Sequence, residues 1–583
     1  MKNLLSDATK RNWEKLGVKE DFQKRLSKRA NKKYSVKKIL PVEYLSDSRN
    51  IDILERILKF SEKYSVKTIV YNISLNYLIK YSLVKIVNDE IFTNNKYLKE
   101  ILNNFNSKVY QEILDLQLPL NEKDFIGCVY QAMISEGYKN INGSYYTPQE
   151  ILDNIEISPQ GKFLDPCCGT GSFLLHAAKF IKDPLKIYGC DIDKTACFIA
   201  KINLILTFKN KIFNPQIYNT DFLTDKKTLK NMKFETIATN PPWGAAKSEK
   251  YTKLFPQIKS GESYSYFVYL SKMYLENIGS CTFILPKSIL NISAHKDIRE
   301  FIINNYYINK IKNFGQIFNG VLTDTILLSC GNTPPKNDNI ILTKNSQNKT
   351  VKQDCFRENY NYNFSFMSNN EFKILNKIFK TEHYTLENSI WALGIVTGDN
   401  KKHILQAPEN NAEIIYTGKE IKKYILDKPS KYIKYNRNNY QQIAPEEFYR
   451  AKEKLLYKFI SKKLIFAYDN SASLVLNSAN ILIPKIPDYS TKTVMAFLNS
   501  KLFEFVYKII FDDIKILKGN LSILPFPKKI PFEIMEKTDK LVDLYIQNQD
   551  DEILNRIDNI VYQCFNLTNN EIAKIEEEIT NEK

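Results

Sequence analysis

Along the first 140 residues of the chain, apolar side chains recur every three or four positions. This spacing places them on one face of an α-helix, and it is clearest at residues 51–64 and 97–116. Glycine and proline, which interrupt helices, are scarce in the same stretch. The pattern therefore predicts a helical N-terminal region, and it shows no internal repeat.

The pattern changes near Gly143, where short apolar runs rich in Ile, Phe and Val begin to alternate with helical stretches. Strand and helix in alternation predict an α/β fold with a parallel, doubly wound sheet. Ligands of such sheets bind at the carboxyl ends of the strands. The predicted strands are 162–164, 186–190, 216–219, 236–239, 280–285, 308–313 and 325–329. The predicted helices between them are 172–182, 194–208, 263–277 and 295–304.

The regular alternation ends at residues 331–350, where Asn, Pro and Lys are frequent and we expect a linker or a long surface loop. The next stretch mixes short strands, tyrosine-rich turns and one helix near residues 493–510. The last stretch is helical again and ends acidic. We therefore expect a helical N-terminal domain, an α/β domain, a mixed α+β domain and a C-terminal helical segment, at residues 1–140, 141–345, 346–530 and 531–583.

The formal net charge of +18 favours a polyanionic partner such as nucleic acid. A lysine-rich composition inherited from an AT-rich genome explains the same surplus equally well. Nine cysteines without paired C-x-x-C units predict free thiols in a reducing cytosol, and no metal site is expected. Neither a signal-peptide core nor a run of about 18 apolar residues is present, so we expect a cytoplasmic protein.

A glycine-rich turn follows the first predicted strand, in the sequence Asp165-Pro-Cys-Cys-Gly169-Thr-Gly171. The two glycines allow a tight turn and a close approach of a ligand to the backbone. Asp165 can accept hydrogen bonds from an ammonium group, and the amides of the following helix favour a negative group. A zwitterionic amino acid moiety satisfies both features, although such a turn also serves simple chain reversal or dinucleotide binding.

Acidic residues also follow the next two predicted strands. Asp191 is suited to the two hydroxyls of a ribose, but Asp191 and Asp193 also qualify as caps of the helix that follows. Asp221 can accept from the amino group of a nucleoside adenine, with Phe222 against its ring. Three acidic groups at successive strand ends beside a glycine-rich turn together predict a nucleoside-containing cofactor.

Upstream, Tyr145-Tyr146-Thr147-Pro148 precedes a short helical pattern. Thr147 and Glu150 are spaced as a capping box, with Pro148 at the first helical position. This structural explanation accounts for the residues completely, so Tyr146 and Thr147 need further support as functional residues.

The sequence Asn240-Pro241-Pro242-Trp243 directly follows the strand at 236–239. The prolines fix the backbone and offer no amide hydrogen, so their carbonyls and the Asn240 side-chain oxygen remain as acceptors. Such acceptors suit a substrate amino group with two hydrogens, because they draw its delocalised lone pair towards a methyl sulfonium. Trp243 offers a flat surface for stacking a base. The alternative is a rigid loop with a core tryptophan.

The order Tyr-Tyr-Thr-Pro, Asp-Pro-x-x-Gly-x-Gly, Asn-Pro-Pro-Trp resembles that of the amino-methyltransferases of restriction–modification systems. Within them, the chain is similar to the group whose C-terminal specificity domain resembles that of the Taq I adenine methyltransferase. The likeness is strong over about residues 143–330 and weaker over 455–484 and 495–527. The resemblance implies a Rossmann-like domain that uses S-adenosyl-L-methionine, followed by a target-recognition domain.

By this resemblance, the cofactor contacts are Thr147, Asp165, Gly169, Gly171, Asp191 and Asp221, and the flipped target adenine is held by Asn240, Pro241 and Trp243. Our candidate sites add Tyr146 and Phe222 to the cofactor residues and Pro242 to the catalytic residues. One departure is Trp243, because adenine enzymes more commonly have Tyr or Phe there. Cytosine enzymes often have Trp but usually begin the motif with Ser, so Asn240 favours adenine.

Residues 401–463 contain 15 Lys or Arg against 7 Asp or Glu, with seven interleaved tyrosines. Cations neutralise phosphates and aromatic rings pack on sugars or bases, so this region predicts recognition of double-stranded DNA. The candidate DNA-binding residues are Lys419, Lys422, Lys423, Lys434 and Arg437. The resulting hypothesis is an adenine-specific DNA methyltransferase, located in a bacterial cytoplasm and associated with the nucleoid through DNA.

Three alternatives stay open: a cytosine-N4 DNA methyltransferase, an RNA or protein methyltransferase, and a non-catalytic DNA-specificity subunit. Some relatives carry a nuclease in the same chain, often with a Glu-x-Lys or Asp-x-Lys pair. Residues 1–150 contain no such pair. We therefore expect no fused nuclease, and a separate restriction endonuclease is a possible partner.

Overall fold

The computed structural model describes residues 45, 47–88, 90–122, 124–134, 147–244, 249–318, 323–511 and 514–580. These fall into two compact units, which meet in the sequence between Phe366 and Met367. Helices and strands are numbered below in chain order over the described residues. No helix in this part of the chain is long and apolar enough to cross a bilayer.

The first unit contains a nine-stranded sheet in the spatial order β5-β4-β3-β6-β7-β9-β8-β10-β11. The five strands from β5 to β7 are parallel to their neighbours, with helices in the connections between them. The predicted doubly wound α/β fold is therefore confirmed. The strands are β3 (Phe163–Asp165), β4 (Ile187–Asp191), β5 (Gln216–Asn219), β6 (Phe234–Thr239), β7 (Leu275–Pro286), β8 (Tyr307–Gly315), β9 (Thr325–Gly331), β10 (Ile340–Lys344) and β11 (Gln347–Val351).

Strand β9 runs antiparallel between β7 and β8, so the sheet is mixed and not wholly parallel. A separate small hairpin is formed by β1 (Lys85–Val87) and β2 (Glu90–Phe92). The helices of the first unit are α1 (Ile51–Lys59), α2 (Val66–Lys80), α3 (Lys96–Phe105), α4 (Gln111–Leu114), α5 (Phe125–Met133), α6 (Gln149–Leu152), α7 (Ser172–Ala177), α8 (Lys194–Thr207), α9 (Glu249–Leu254), α10 (Ser263–Tyr274), α11 (Lys296–Asn305) and α12 (Gln353–Glu358).

The N-terminal helices share one hydrophobic core with the α/β sheet. Phe105 of α3 stacks on Phe198 of α8, with ring centroids 3.9 Å apart and an interplanar angle of 9°. Tyr71 of α2 stacks on the same ring at 6.3 Å. Buried aromatic pairs of this kind add to the free energy of burial, so the helical region is anchored to α8.

The expectation of a linker or long loop at 331–350 is wrong. Residues of this stretch form β10 and β11, an antiparallel hairpin at the sheet edge, with β10 parallel to β8. Ile340 and Leu342 are buried while Ile341 is 44% exposed, which is the alternation of a half-buried strand. The frequent Asn and Lys residues hide this alternation in the sequence. The boundary expected at 345/346 falls in the hairpin turn, and the four-domain division otherwise stays a prediction.

Two predicted helices are broken in the structure. The pattern at 97–116 is split between α3 and α4, because the chain leaves the helical conformation at Asn106. The pattern at 493–510 is divided at Ser500, whose backbone is extended. The Ser500 hydroxyl accepts from the Phe503 amide at 3.2 Å and so caps a second helix. A side-chain cap therefore accounts for the second break, whereas α4 begins after Tyr110 without one.

The second unit is mixed α+β, as predicted. Four-stranded sheets have the orders β13-β20-β17-β18 and β14-β16-β15-β19, and a short pair joins β12 to β21. Its strands are β12 (His383–Tyr384), β13 (Ile390–Leu393), β14 (Ile404–Leu405), β15 (Glu413–Tyr416), β16 (Tyr432–Ile433), β17 (Lys454–Lys458), β18 (Phe466–Asp469), β19 (Leu474–Val475), β20 (Ala479–Ile483) and β21 (Phe526–Pro527). Its helices are α13 (Asn369–Lys380), α14 (Asn400–His403), α15 (Glu446–Tyr449), α16 (Thr491–Asn499), α17 (Lys501–Phe511), α18 (Lys518–Leu521), α19 (Phe532–Asn548), α20 (Asp551–Cys564) and α21 (Asn569–Thr580).

Candidate active site

Asp165 ends β3 and is 1% exposed. Its Oδ1 accepts hydrogen bonds from the Thr239 hydroxyl at 2.7 Å and from the Cys167 amide at 3.1 Å. Burial raises the pKa of the Asp165 carboxyl to about 7, although both hydrogen bonds act to lower it. Among the described residues these two donors use Oδ1, which leaves Oδ2 to accept from an ammonium group.

The turn after Asp165 requires glycine at two positions. Gly169 and Gly171 have φ values of +51° and +103°, in the region that other L-residues rarely adopt. A Cβ on Gly169 would meet no atom within 4 Å, so this position borders open space. The Gly169 amide donates to Asp191 Oδ2 at 2.8 Å, which ties the turn to the end of β4.

The two acidic residues after β4 have different roles. Asp193 caps α8 by accepting from the amides of Thr195 and Ala196, so the capping alternative holds for Asp193. Asp191 instead accepts from the amides of Gly169 and Asp193, both at 2.8 Å, and burial raises the pKa of its carboxyl. Between them, the Ile192 side chain is 70% exposed, an apolar surface beside the turn that the sequence analysis missed.

Asp221 lies after β5, and its carboxylate already has several donors. Its Oδ2 accepts from Thr224 Oγ1 at 2.8 Å and from Lys250 Nζ and Tyr251 Oη of α9, both at 3.1 Å. Phe222 is 4% exposed and packs against Phe267 and Tyr274. The structure therefore places the Phe222 ring in an aromatic cluster of the core, and its role against a cofactor adenine stays a prediction.

Asn240 follows β6 and lies beside the glycine-rich turn. Its carbonyl accepts from Cys167 Sγ at 3.4 Å, and its Nδ2 donates to Thr147 Oγ1 at 3.4 Å. The predicted capping box at Thr147 is wrong, because α6 begins at Gln149 after Pro148 and has no side-chain cap. Thr147 is 4% exposed and accepts from the Asn240 amide instead.

The two prolines and the tryptophan are held differently. Pro241 is buried, while the carbonyl of Pro242 accepts from the Ser263 hydroxyl of α10. Trp243 is half-buried; its Nε1 donates to the Ile284 carbonyl of β7 at 3.1 Å, and its ring meets Phe318 edge-on at 5.5 Å. The indole is thus fixed by the core but keeps part of its surface open. Tyr146 lies outside the described residues.

Comparison with known proteins agrees with this geometry. Residues 121–388 match the N-6 DNA methylase family, and residues 413–526 match the TaqI-like C-terminal specificity domain. The type II methyltransferase M.VspI of Vibrio sp. (strain 343) is 33% identical over 306 residues, which cover 50% of this chain and 74% of that protein. The chain belongs to the N-6 DNA methylase family of restriction–modification systems. The family uses S-adenosylmethionine, so the predicted cofactor is confirmed at the level of the family.

Two further relatives extend over more of this DNA methyltransferase. The restriction enzyme and methyltransferase RM.Eco57I of Escherichia coli is 22% identical over 524 residues, covering 67% of this chain and 51% of that protein. A solved Type IIL restriction–modification enzyme, MmeI in complex with DNA, has a TM-score of 0.60 at 13% identity, covering 92% and 93% of the two chains. At that identity, the likeness to MmeI shows the shared fold alone.

Several residues that contact the candidate site were missed by the sequence analysis. Thr239 precedes the Asn-Pro-Pro-Trp motif, and its position at a strand end is a signal that points to it. Lys250 and Tyr251 bind Asp221 across about thirty residues of sequence, and no local pattern indicates such a contact. Asp124, from the N-terminal helices, accepts from Thr170 within the glycine-rich turn at 2.9 Å.

The specificity domain distributes its predicted DNA-binding residues unevenly. Lys419 and Arg437 are exposed. Lys422 and Lys434 are exposed too, but they pair with Asp427 at 3.7 Å and Glu409 at 2.8 Å. Lys423 is half-buried and binds Glu504 at 3.1 Å and the Asn499 carbonyl at 2.9 Å. Of the seven interleaved tyrosines, four are buried in the core: Tyr424, Tyr440, Tyr449 and Tyr457.

Proposed function

We propose that this methyltransferase transfers the methyl group of S-adenosyl-L-methionine to the exocyclic N6-amino group of an adenine at a specific site in duplex DNA. The observation that carries the proposal is the link between two strand ends. Thr239 donates to Asp165 at 2.7 Å, and Cys167 contacts both Thr239 and the Asn240 carbonyl, at 2.8 and 3.4 Å. A candidate cofactor turn and a candidate amino-binding loop therefore share one edge of the sheet.

The residues of this edge fit S-adenosylmethionine. Asp165 is a buried carboxylate with Oδ2 available for the ammonium of the methionine moiety. Gly169 borders open space, so the backbone allows a close approach of that moiety. Asp191 suits the ribose hydroxyls, and Ile192 offers an apolar surface to the adenine ring. When bound, the cofactor supplies an electrophilic methyl group.

Asn240 and Pro241 then supply the two hydrogen-bond acceptors for the amino group of the substrate. The Asn240 Nδ2 donates to the Thr147 hydroxyl, so Oδ1 of the same side-chain amide is left to accept from the amino group of the substrate. Ser263 already donates to the Pro242 carbonyl, so the Pro241 carbonyl is the better second acceptor. Two acceptors on one amino group draw the nitrogen lone pair out of conjugation with the purine ring. The nitrogen becomes a nucleophile without a strong general base.

The target adenine must leave the duplex, because its amino group is paired within the base stack. Trp243, which is anchored by Ile284 and Phe318, offers a surface on which the extruded base stacks. We further propose that the specificity domain binds the surrounding duplex, and that the chain acts as a modification enzyme with a separate endonuclease or as an orphan enzyme.

The test uses labelled S-adenosylmethionine, a mixed pool of duplex DNA and mass spectrometry of the digested nucleosides. Wild type is expected to give N6-methyladenine, and Asn240→Ala is expected to reduce kcat by about 10²- to 10³-fold, as for loss of one preorganised polar group. Asn210→Ala, at an exposed position after α8, is the matched control and should behave as wild type. If methylcytosine is the product, the assigned site would stand, but the target base would be cytosine and not adenine.

Three further results would contradict the proposal. Methylation of RNA or protein but not of any duplex would indicate another substrate class. Cofactor binding by calorimetry without transfer to any substrate would favour a non-catalytic specificity subunit. Full activity of Asn240→Ala would remove the assigned role of that side chain.

A further inference from the structure

Helix α5 belongs to the N-terminal helices, yet it begins next to the glycine-rich turn. Its N-cap residue is Asp124, which is 5% exposed. Oδ1 of Asp124 accepts from the Gly127 amide at 3.0 Å and from Asn203 Nδ2 of α8 at 2.7 Å. Oδ2 accepts from the Thr170 hydroxyl at 2.9 Å. A buried carboxylate with three donors in the described part of the chain is a rigid connection between α5, α8 and the turn.

Thr170 stands between the two glycines of the turn, and its hydroxyl and its carbonyl are both held. Its hydroxyl donates to Asp124, and its carbonyl accepts from Asn203 Nδ2 at 3.0 Å. Thr170 itself is 4% exposed. Since Gly169 and Gly171 have unusual backbone freedom, the conformation of the turn depends on contacts made by the residue between them.

The close approach of α5 to the turn depends on Gly127. A Cβ at that position would collide with the Asp124 carboxylate and with the Thr170 hydroxyl. Any other residue would therefore push the first turn of α5 away from Thr170. The lack of space for a side chain at Gly127 is independent of the hydrogen bonds, and it also indicates that α5 packs directly against Thr170.

The same helix also reaches the end of β4. The Tyr130 hydroxyl of α5 donates to Asp193 Oδ2. Asp193 caps α8 with its other oxygen, and its amide donates to Asp191 at 2.8 Å. One helix is therefore bonded to both segments that are assigned to the cofactor, the glycine-rich turn and the Asp191 loop.

We propose that α5 is a structural part of the cofactor site, in which Asp124 and Tyr130 are positioning residues for S-adenosylmethionine binding. Asp124 holds the turn through Thr170, and Tyr130 holds the Asp191 loop through Asp193. Both segments are thereby kept in their binding conformation before the cofactor arrives, which reduces the entropy lost on binding. This inference rests on the proposed function and assigns to part of the N-terminal region a role in cofactor affinity.

The principal test variant is Asp124→Asn. Asn keeps the shape and is an equally good helix cap, because its oxygen can keep the bonds from Gly127 and Asn203; its NH2 group then takes the place of Oδ2 and cannot accept from the Thr170 hydroxyl. We expect the Kd for S-adenosylmethionine, measured by calorimetry, to rise about tenfold, which corresponds to the loss of one buried charged hydrogen bond. At saturating cofactor, kcat and the KM for DNA should stay within about twofold of wild type, because the proposed effect acts on cofactor affinity alone.

A second measurement needs no cofactor. Amide hydrogen exchange at residues 169–171 of the cofactor-free protein should accelerate about tenfold in Asp124→Asn. Thr170→Val should give the same result, and the double variant should be no worse than either single variant, because all three remove one interaction. Ser65→Ala, which removes the cap of α2 from the same unit, is the control for general loss of helix stability and should change neither quantity.

Tyr130→Phe covers the case in which Asp124→Asn fails to fold, since it removes one hydroxyl and should raise the Kd about threefold. The inference is overturned if folded Asp124→Asn or Tyr130→Phe binds the cofactor as wild type does, with unchanged exchange, while wild type still methylates DNA. Failure of wild type to bind S-adenosylmethionine would instead overturn the proposed function itself. The two failures are therefore distinguishable.

Discussion

The first unit keeps its candidate cofactor carboxylates in a small group at the strand ends, whereas the second unit has most of its candidate DNA-binding cations on an exposed surface. Asp165 is 1% exposed, and it and Asp191 each accept bonds from fixed donors. Lys419 and Arg437 are exposed instead. A small zwitterion is recognised by a few desolvated groups in fixed geometry, but a polyanion by many hydrated charges. Substitutions in the first unit should therefore have large, local effects, and those in the second should have small, additive ones.

Lys454 lies in the second unit but is buried, unlike the exposed cations, and its substitution has the largest expected effect. It is 0% exposed, lies 2.6 Å from Asp469 across β17 and β18, and also donates to the Tyr449 carbonyl. Lys454→Met would leave the Asp469 charge buried, so the free energy of unfolding should fall by about 3–5 kcal/mol. Urea denaturation measures this change. Lys452→Met, at an exposed position two residues earlier, should cost less than about 0.5 kcal/mol, and equal effects would contradict the distinction.

Asp165→Ala gives the next largest effect, in the first unit. The variant removes the buried acceptor proposed for the cofactor ammonium, so the Kd for S-adenosylmethionine should rise about 10- to 100-fold. Calorimetry gives the affinity, and a thermal melt shows whether the variant is folded. Glu156→Ala, an exposed acid of the same unit, is the matched control. An unchanged affinity in folded Asp165→Ala would show that the ammonium binds elsewhere.

The sequence identifies the candidate cofactor residues as neighbours because each of their signals is local. Asp165 and Asp191 end their strands and Asn240 directly follows one, and a doubly wound sheet brings the ends of parallel strands together. Thr147 is found by its motif, but its contact with Asn240 spans 93 residues, so its spacing suggests only a helix cap. Asp124 and Lys250 reach their partners through tertiary packing, and no pattern within a few residues indicates such contacts.

Composition is a weaker guide than motif in the second unit. The excess of lysines in 401–463 is real, but the sequence does not show which lysines are neutralised. Lys423 is paired with Glu504, 81 residues away, and four of the seven tyrosines belong to the core. The hairpin of β10 and β11 was missed for a related reason, since exposed Asn and Lys residues dominate a strand in which alternate apolar positions are buried.

The dependence of cofactor binding on pH separates the buried carboxylates from the exposed lysines. Because burial raises the pKa of Asp165 to about 7, the cofactor-free carboxyl is protonated below that pH. Because the pKa of Asp165 in the folded protein lies above its ordinary value, the stability that the protonated carboxyl provides at low pH is lost as the pH rises towards 7. A bound ammonium group stabilises the ionised carboxylate and offsets this loss. Binding at pH 6 should therefore release up to about one proton, and the Kd should rise about tenfold for each pH unit below 7.

Calorimetry in two buffers of different ionisation enthalpy measures this proton release, which should be close to zero at pH 8. Asp165→Asn should abolish most of it. Any release that remains in that variant is assigned to Asp191, whose pKa is also raised by burial. Binding that is independent of pH in wild type would show that Asp165 stays ionised without the cofactor.

The smallest expected effects concern the exposed cations of the specificity domain. Lys419→Ala and Arg437→Ala should each weaken DNA binding only a few-fold, and each should reduce the slope of log K against log salt by about 1. Fluorescence anisotropy over a salt series measures both quantities. Lys423→Ala is the internal comparison: because Lys423 binds Glu504 and the Asn499 carbonyl, it should lower the melting temperature and leave the salt slope unchanged. A reduced slope for Lys423→Ala with an unchanged melting temperature would place Lys423 among the phosphate contacts. The exposure of a side chain in this structure would then not identify the residues that contact phosphate.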